Sequence, residues 1–210
     1  MDLKNKKILV TGGNGFLGRR VVHFLNKMGN DDIVIPSSKK LDLRKIENCK
    51  KVVENVDVVF HLAGHVGGIG LNREKPGELF YDNLIMGTQL LHESKLAGIQ
   101  KFVALGTICS YPKFTQIPFL EENIWNGYPE ETNAPYGLAK KMLLVQSKAY
   151  REQYNFKSIV VIPTNLYGPE DNFDPSSSHV IPALILKIFQ AKKNNINKIE
   201  VWGDGTPTRD

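Results

Sequence analysis

A glycine-rich turn near the N-terminus constrains the fold of this chain more than any other feature. Residues 7–11 form an apolar run, and glycines follow at positions 12, 15 and 18. This spacing allows a tight turn, close approach of the backbone to a pyrophosphate, and close packing of a helix on the preceding strand. A helix beginning near Phe16 directs its free N–H groups at the phosphates. The pattern predicts a dinucleotide site; a strand–turn–helix without a ligand is the alternative.

Strand-like and helix-like segments alternate along the rest of the chain. Strands are predicted at 7–11, 32–35, 41–43, 57–63, 101–106, 158–162 and 198–202. Helices are predicted from about residue 16 and at 44–54, 77–97, 135–154 and 179–191. The apolar face of the first helix is predicted to comprise Phe16, Leu17, Val21, Phe24, Leu25 and Met28. The alternation, with its continuous apolar run at 57–63, predicts the α/β fold class, as a Rossmann-type doubly wound parallel sheet.

Composition argues against several classes of protein. The 210 residues are 41% hydrophobic and 23% charged, and no apolar run approaches the length of a membrane span. The two cysteines, Cys49 and Cys109, form no disulfide framework, which fits the cytoplasm. The net charge of +5 comes from scattered lysines, so an anionic substrate explains it and nucleic-acid binding is not expected. The composition therefore predicts a soluble cytoplasmic enzyme.

The segment after the second strand bears on which dinucleotide binds. An NAD site usually has Asp or Glu here, about 20 residues beyond the glycines, to hold the ribose hydroxyls. In this chain the strand is followed by Pro36, Ser37, Ser38, Lys39 and Lys40. Hydroxyls and cations suit a 2′-phosphate, so the sequence favours NADP(H) over NAD. An exposed lysine loop is the alternative.

Tyr136 and Lys140 stand one helical turn apart, so their side chains are neighbours on one helix face. A free phenol titrates near ~10, and a nearby cation lowers its pKa. A tyrosine tuned in this way passes a proton to or from a carbonyl oxygen while hydride moves at the carbon. Alone, the spacing is equally compatible with an amphipathic helix and a solvated lysine. Together with a dinucleotide site, it predicts carbonyl reduction.

Three more reactive side chains are predicted near the carboxyl ends of the strands, where ligands of open α/β sheets bind. Thr107 follows the strand at 101–106 and is placed to hydrogen-bond the carbonyl that Tyr136 serves. Cys109, two residues on, is placed to reach a neighbouring carbon. His179 lies at a helix start, preceded by a serine cap. The alternatives are a cysteine that acts as a small hydrophobe and a histidine on the surface.

Seven segments resemble motifs of the extended short-chain dehydrogenase/reductase family. They are VTGGNGFLG (10–18), HLAGHVGGIGLNREKP (61–76), FYDNL (80–84), GTICSYPK (106–113), ETNAPYGLAK (131–140), PTNLYGPEDNFDPSSSHVIPAL (163–184) and VWGDGTPTR (201–209). Within that family, the chain is similar to enzymes that combine 3,5-epimerase and 4-reductase activity on a GDP-sugar. The resemblance implies an NAD(P)-binding Rossmann domain at 1–164. Part of a smaller substrate-binding lobe follows at 165–210, and family members continue beyond residue 210.

The resemblance implies that the chain converts GDP-4-keto-6-deoxy-mannose to GDP-L-fucose with NADPH. The C4 ketone acidifies the protons at C3 and C5, so both centres invert through enolates before hydride reduces C4. Cys109 and His179 match the epimerisation pair, without an assignment of acid and base between them. Tyr136 and Thr107 serve the ketone oxygen. Lys140 lowers the pKa of Tyr136 and holds the nicotinamide ribose.

The resemblance also implies a set of contact residues. The expected cofactor contacts are Gly12, Gly13, Asn14, Gly15, Phe16, Leu17, Gly18, Ser38, Asp42, Leu43, Ala63, Leu105, Gly106, Lys140, Pro163, Thr164, Asn165, Leu166 and His179. The expected contacts to the GDP-sugar are Lys187, Trp202 and Arg209. No metal is expected. A homodimer is expected, formed by the helices at 77–97 and 135–154.

Four positions depart from the family pattern. Thr107 stands where serine is usual, Lys187 replaces an arginine, His65 replaces a lysine, and Ser110 replaces an aliphatic residue. None of them removes a proposed catalytic group. Two other functions stay open. One is an NAD-dependent epimerase or dehydratase of another nucleotide sugar, and the other is a non-catalytic dinucleotide-binding protein.

Overall fold

The computed structural model describes residues 1–175, 177–201 and 203–205, which contain one parallel sheet flanked by helices. The strands are β1 (Ile8–Thr11), β2 (Ile33–Val34), β3 (Val58–His61), β4 (Lys101–Leu105) and β5 (Ser158–Val161). The α-helices are α1 (Phe16–Lys27), α2 (Ile46–Val52), α3 (Ile69–Glu74), α4 (Pro76–Leu96), α5 (Ala134–Tyr154) and α6 (Val180–Lys193). Two short 3₁₀ helices, Ile108–Ser110 and Glu121–Trp125, lie between β4 and α5.

The sheet has the strand order β2-β1-β3-β4-β5, and every neighbouring pair is parallel. In the central pair, Ile8 lies opposite Val58 and Thr11 lies opposite His61. The order reverses beside β1, with β2 on one side and the later strands on the other. This is the doubly wound arrangement, so the predicted fold class is confirmed. Ligands of such sheets bind outside the carboxyl ends of the strands, at the reversal.

The side chains of β1 alternate between two apolar clusters, one on each face of the sheet. Ile8 and Val10 pack with Leu25 of α1 on one face. Leu9 packs on the other, in a cluster that also contains Val59 and residues of α4 and α5. Successive strand residues point to opposite faces, and both faces are covered by helices. This double burial is the reason that the strands appear in the sequence as continuous apolar runs.

The predicted apolar face of α1 is partly wrong. Phe24 and Met28 are 59% and 61% exposed. Leu25 is buried, and Val21 and Val22 pack beside it against the sheet. The contact of Gly18 with the glycine-rich turn determines which face of α1 is buried, because the absence of a side chain lets the helix lie directly on the turn. Val21, Val22 and Leu25 are three, four and seven residues further on and share the face of Gly18.

Two predicted strands are absent. Residues 41–43 form a turn, because the Asp42 carboxylate accepts a hydrogen bond from the Arg44 N–H, as in turns capped by aspartate. Leu43 is nevertheless buried in the core. Residues 198–201 have no strand partner in the described part of the chain, and an isolated segment makes no ladder. Trp202, the last residue of that predicted strand, lies outside the described residues.

The short helix α3 was not predicted from the sequence, where glycines stand at 67, 68 and 70. The amide of Asn72 donates to the carbonyls of Gly67 and Gly68, at 3.0 and 3.1 Å, and holds the start of the helix. No described helix has both the length and the apolar character needed to cross a membrane.

Candidate active site

The predicted site residues meet at the carboxyl edge of the sheet. The glycine-rich turn follows β1, Ala63 follows β3, Thr107 follows β4 and Pro163 follows β5. Parallel strands end on the same side, so residues that are far apart in the chain lie along one edge of the sheet. The structure therefore brings together the segments that carry the expected cofactor contacts and the predicted Tyr136 helix.

Close packing fixes the glycine-rich turn. Gly12 has a φ of +71°, and a Cβ there would lie 2.8 Å from the Ala63 nitrogen. A Cβ on Gly18 would lie 2.0 Å from the Gly12 oxygen. Asn14 and Gly15 are exposed, and no side chain caps the N-terminus of α1. The first N–H groups of this helix are thus open to an anionic ligand.

The segment after β2 contains the expected ribose contacts. Ser38, Lys39 and Lys40 are exposed in a turn closed by a hydrogen bond from the Leu41 N–H to the Ser37 oxygen at 2.8 Å. Asp42 lies beside this turn. Its pKa is lowered because Arg44 donates hydrogen bonds to its carboxylate.

Arg44 is held by two carboxylates. Its Nε and Nη2 donate to Asp42, and its Nη1 donates to both oxygens of Asp82 at 3.2 Å. Asp82 also lies 3.0 Å from the Nδ1 of His65, which follows β3. All three guanidinium nitrogens are thereby occupied, and the network links the edge of the sheet to α4.

Thr11 and His61 form a buried contact at the ends of β1 and β3 that was not predicted from the sequence. The Thr11 hydroxyl lies 2.8 Å from the Nδ1 of His61 and accepts the Ala63 N–H at 3.3 Å. Burial lowers the pKa of His61 to about 3, and the charge of Lys140 adds to this effect. His61 is therefore neutral at pH 7. The partners are 50 residues apart in the chain, and only the pairing of β1 with β3 could have predicted their contact.

Lys140 is 3% exposed, and its ammonium lies 3.5 Å from the Ala63 oxygen. Burial lowers its pKa to about 8. The backbone at Gly64 lies close to the Lys140 ammonium. A Cβ on Gly64 would lie 3.5 Å from Nζ of Lys140 and 3.2 Å from Oδ1 of Asn83. Asn83 in turn holds this loop, since its amide donates to the His65 oxygen and accepts the His65 N–H.

Tyr136 lies half-buried one helical turn before Lys140. The expected lowering of its pKa by Lys140 is wrong for this structure. Burial raises the pKa of Tyr136 to about 12, the charge of Cys109 adds to the rise, and interaction with the Thr107 hydroxyl opposes it. The Lys140 ammonium lies 3.5 Å from the Ala63 oxygen. Tyr136 is consequently a protonated donor at neutral pH.

The two cysteines have different surroundings. Cys49 is fully buried, its thiol donates to the Leu43 oxygen at 3.2 Å, and burial raises its pKa to about 12. Cys109 is a half-buried free thiol in the turn after β4. The Thr107 hydroxyl accepts the N–H of Cys109 at 3.2 Å and caps this turn. Only Cys109 is available for chemistry with a substrate.

His179 lies at the edge of the site and differs from its prediction in one respect. It is exposed and itself occupies the cap position of α6, so the preceding serine is not the cap. No hydrogen bond of its side chain is found among the described residues. The segment before it reaches the loop after β3, where the Gly68 N–H donates to the Ser177 oxygen at 3.3 Å.

The expected GDP-sugar contacts are only partly described. Lys187 lies on α6 and donates to the Glu200 oxygen at 3.0 Å. Trp202 and Arg209 lie outside the described residues. In the described part of the chain, no three His, Cys, Asp or Glu side chains are grouped in a way that would hold a metal ion.

The chain is similar in sequence and fold to proteins named as GDP-sugar synthases and reductases. It is 39% identical to the GDP-L-fucose synthase of Sinorhizobium fredii, over 99% of this chain and 67% of that protein. A GDP-L-fucose synthetase from Naegleria fowleri, solved bound to NADP, aligns with a TM-score of 0.86 at 33% identity, over 98% of this chain and 68% of that one.

A third similar protein, the GDP-mannoheptose C4 reductase of Campylobacter jejuni with NADP bound, aligns with a TM-score of 0.85 at 30% identity, over 93% of this chain and 59% of that one. The chain spans about two thirds of the length of the curated relatives that it matches, from 64% to 67% in the pairs compared.

The sequence profile of the NAD dependent epimerase/dehydratase family matches residues 8–210. This match covers the glycine-rich turn, the Tyr136 helix and the segment around His179, and it confirms the resemblance inferred from the motifs. The chain therefore belongs to the NAD dependent epimerase/dehydratase family.

Proposed function

We propose that this protein is an NADPH-dependent enzyme that converts GDP-4-keto-6-deoxy-mannose to GDP-L-fucose. It epimerises C3 and C5 and then reduces C4. The observation that carries the proposal is the grouping of four side chains at one edge of the sheet. A buried Lys140 lies one turn from Tyr136, the Thr107 hydroxyl acts on the pKa of the Tyr136 phenol, and Thr107 caps the turn that presents Cys109. The similar proteins whose names include GDP-L-fucose synthase support the choice of substrate.

The residues at the carboxyl edge fit a dinucleotide phosphorylated on its ribose. The exposed Asn14 and Gly15, with the uncapped start of α1, suit the pyrophosphate, and the turn of Ser38, Lys39 and Lys40 suits the 2′-phosphate. The other expected contacts after β3, β4 and β5 line the same edge. When bound, the reduced cofactor supplies the hydride for C4.

For epimerisation, Cys109 and His179 are proposed to exchange the protons at C3 and C5. The thiol of Cys109 lies in the same turn as Thr107, so one of the proton-exchanging groups and one of the hydroxyls that bind the ketone oxygen come from one segment. His179 is exposed, and the segment before it contacts the loop after β3 through the hydrogen bond from the Gly68 N–H to the Ser177 oxygen. The enolate oxygen is stabilised by the hydroxyls of Thr107 and Tyr136.

For reduction, Tyr136 is proposed to donate its proton to the C4 oxygen. Burial keeps the phenol protonated at neutral pH, which is the form that a donor requires. The ammonium of Lys140 lies beside the loop at 63–64, and this position suits a contact with the ribose hydroxyls.

Three further features belong to the proposal. Lys187, Trp202 and Arg209 would bind the GDP moiety through cations and an aromatic surface. The protein is proposed to be cytoplasmic and to form a homodimer through α4 and α5. Exposed apolar side chains on these helices, such as Tyr81 and Val145, support the dimer.

The test is an assay of the purified full chain with GDP-4-keto-6-deoxy-mannose and NADPH in heavy water. We expect NADPH to be consumed in proportion to GDP-L-fucose formed, with deuterium at C3 and C5 of the product. Turnover without net NADPH consumption would indicate an epimerase or dehydratase that recycles a bound NAD. Reduction without deuterium incorporation would indicate a C4 reductase alone. Cofactor binding with no turnover would favour the alternative that the chain is a non-catalytic dinucleotide-binding protein.

A further inference from the structure

Ser110 is buried beside the site and takes no part in the proposed chemistry. Its side chain donates a hydrogen bond to the Gly137 oxygen at 2.8 Å, and the residue is 2% exposed. Ser110 follows Cys109 in the turn, and Gly137 follows Tyr136 in α5. One buried hydrogen bond therefore joins the two segments that present the thiol and the phenol.

The two segments are also in direct backbone contact. A Cβ on Gly137 would lie 2.1 Å from the Cys109 oxygen, so no side chain fits between the turn and the helix. The carbonyl of Gly137 lies inside α5, where the helical ladder already provides a donor four residues later. The Ser110 hydroxyl is thus an additional donor, and its removal leaves no buried acceptor without a partner.

We propose that Ser110, which stands where the family usually has an aliphatic residue, is a positioning residue of this chain that fixes the Cys109 turn against the Tyr136 helix. The catalytic consequence rests on the proposed function, because the thiol and the phenol then act on neighbouring atoms of one substrate. Misplacement by about 1 Å costs as much as 10²-fold in rate, so a bond that fixes their spacing has a kinetic effect. Ser110 acts on the reaction only through its neighbours.

The test compares two variants of similar shape. Ser110→Thr keeps the hydroxyl, and Ser110→Val has the same branched shape without it. We expect Ser110→Val to lower the rate of deuterium exchange at C3 and C5 about tenfold, the effect of one hydrogen bond. The KM and the Kd for NADPH should stay unchanged, and Ser110→Thr should exchange within about twofold of the native rate. Equal exchange rates in the two variants would overturn the proposal.

A second readout needs no substrate. The rate of Cys109 alkylation by iodoacetamide is measured at a fixed pH, and Cys49 does not interfere because it is fully buried. The thiol is half-buried in a turn that contacts the backbone of α5, so a displaced turn should present it differently to the reagent. We expect the alkylation rate to change in Ser110→Val and to stay at the native value in Ser110→Thr, and equal rates in the two variants would contradict the positioning role. If the native protein shows no turnover, the proposed function has failed, while the alkylation rates still decide the role of Ser110.

Discussion

The candidate site has two parts that differ in burial: the turn after β4 with the start of α5, and the helix α6. The turn after β4 and the start of α5 touch through their backbones, and Lys140 is 3% exposed. By contrast, α6 begins with an exposed His179, and Ile188 and Phe189 on this helix are 57% and 63% exposed. The groups proposed for reduction are therefore preorganised in this chain. Lys187, one of the residues proposed to bind the GDP-sugar, belongs to a helix with exposed apolar side chains.

The largest expected effect lies in the preorganised part. Tyr136→Phe should lower C4 reduction by about 10³-fold, because it removes the proposed proton donor. Deuterium exchange at C3 and C5 should persist in part, since Cys109 and His179 remain. The measurement is NADPH oxidation at saturating substrate, with exchange followed by mass spectrometry. Tyr154→Phe, on the same helix but exposed, is the control and should reduce normally. Retention of reduction in Tyr136→Phe would remove the basis of the proposed mechanism.

Gly137→Ala tests the backbone contact itself. The added Cβ would lie 2.1 Å from the Cys109 oxygen, so the turn or the helix must shift. We expect a loss of about 3 kcal/mol in the free energy of unfolding, as for other overpacked sites. The matched control is Gly77→Ala in α4, where a Cβ meets nothing within 4 Å. That change should stabilise the helix by up to about 1 kcal/mol. Similar unfolding free energies for the two variants would show that the contact is loose.

Lys140→Met should stabilise the protein at pH 7 while it abolishes reduction. Burial lowers the pKa of Lys140 to about 8, so the folded state releases its proton before the unfolded chain does. The unfolded chain thus binds more protons between about pH 8 and 10.5, and native stability should rise by about 3 kcal/mol across this window. The variant lacks this rise, so the difference in the free energy of unfolding between Lys140→Met and the native protein should shrink toward pH 10.5. Urea unfolding at several pH values measures the difference, and parallel curves for the two proteins would refute it.

The smallest effect is expected on α6. Ile188→Ser and Phe189→Ser should each change the free energy of unfolding by less than about 0.5 kcal/mol, because these side chains are already in solvent. Leu143→Ser, at a fully buried position of α5, provides the contrast and should cost several kcal/mol. If the α6 variants unfold as readily as the Leu143 variant, the apolar surface is covered and the comparison between the two parts fails.

Much of the fold was predictable because parallel strands buried on both faces leave continuous apolar runs, and the glycine-rich turn fixes their direction. Residues 41–43 were predicted as a strand because Leu41 and Leu43 alternate with Asp42, but the aspartate captures a backbone N–H and makes a turn. The apolar periodicity of α1 did not show that Val22 packs against the sheet and Phe24 is exposed, because the contact at Gly18 determines which face of the helix is buried.

The site was predictable where its residues lie close together in the chain. Tyr136 and Lys140 share a helix, and Thr107 and Cys109 share a turn. The contacts between His61 and Thr11 and between Ser110 and Gly137 span 50 and 27 residues, so no local pattern reports them. The same reason explains the pKa of Tyr136, which depends on burial by the whole site and not on its neighbour one turn away.

The capture of Arg44 by Asp42 and Asp82 has a consequence for redesign of coenzyme preference. With its three guanidinium nitrogens engaged by Asp42 and Asp82, Arg44 has none left to bind a 2′-phosphate, so replacing it is not the direct route to a change in selectivity. An engineer seeking to favour the unphosphorylated coenzyme should instead exchange Lys39 and Lys40 for acidic residues, where the surface is free to change.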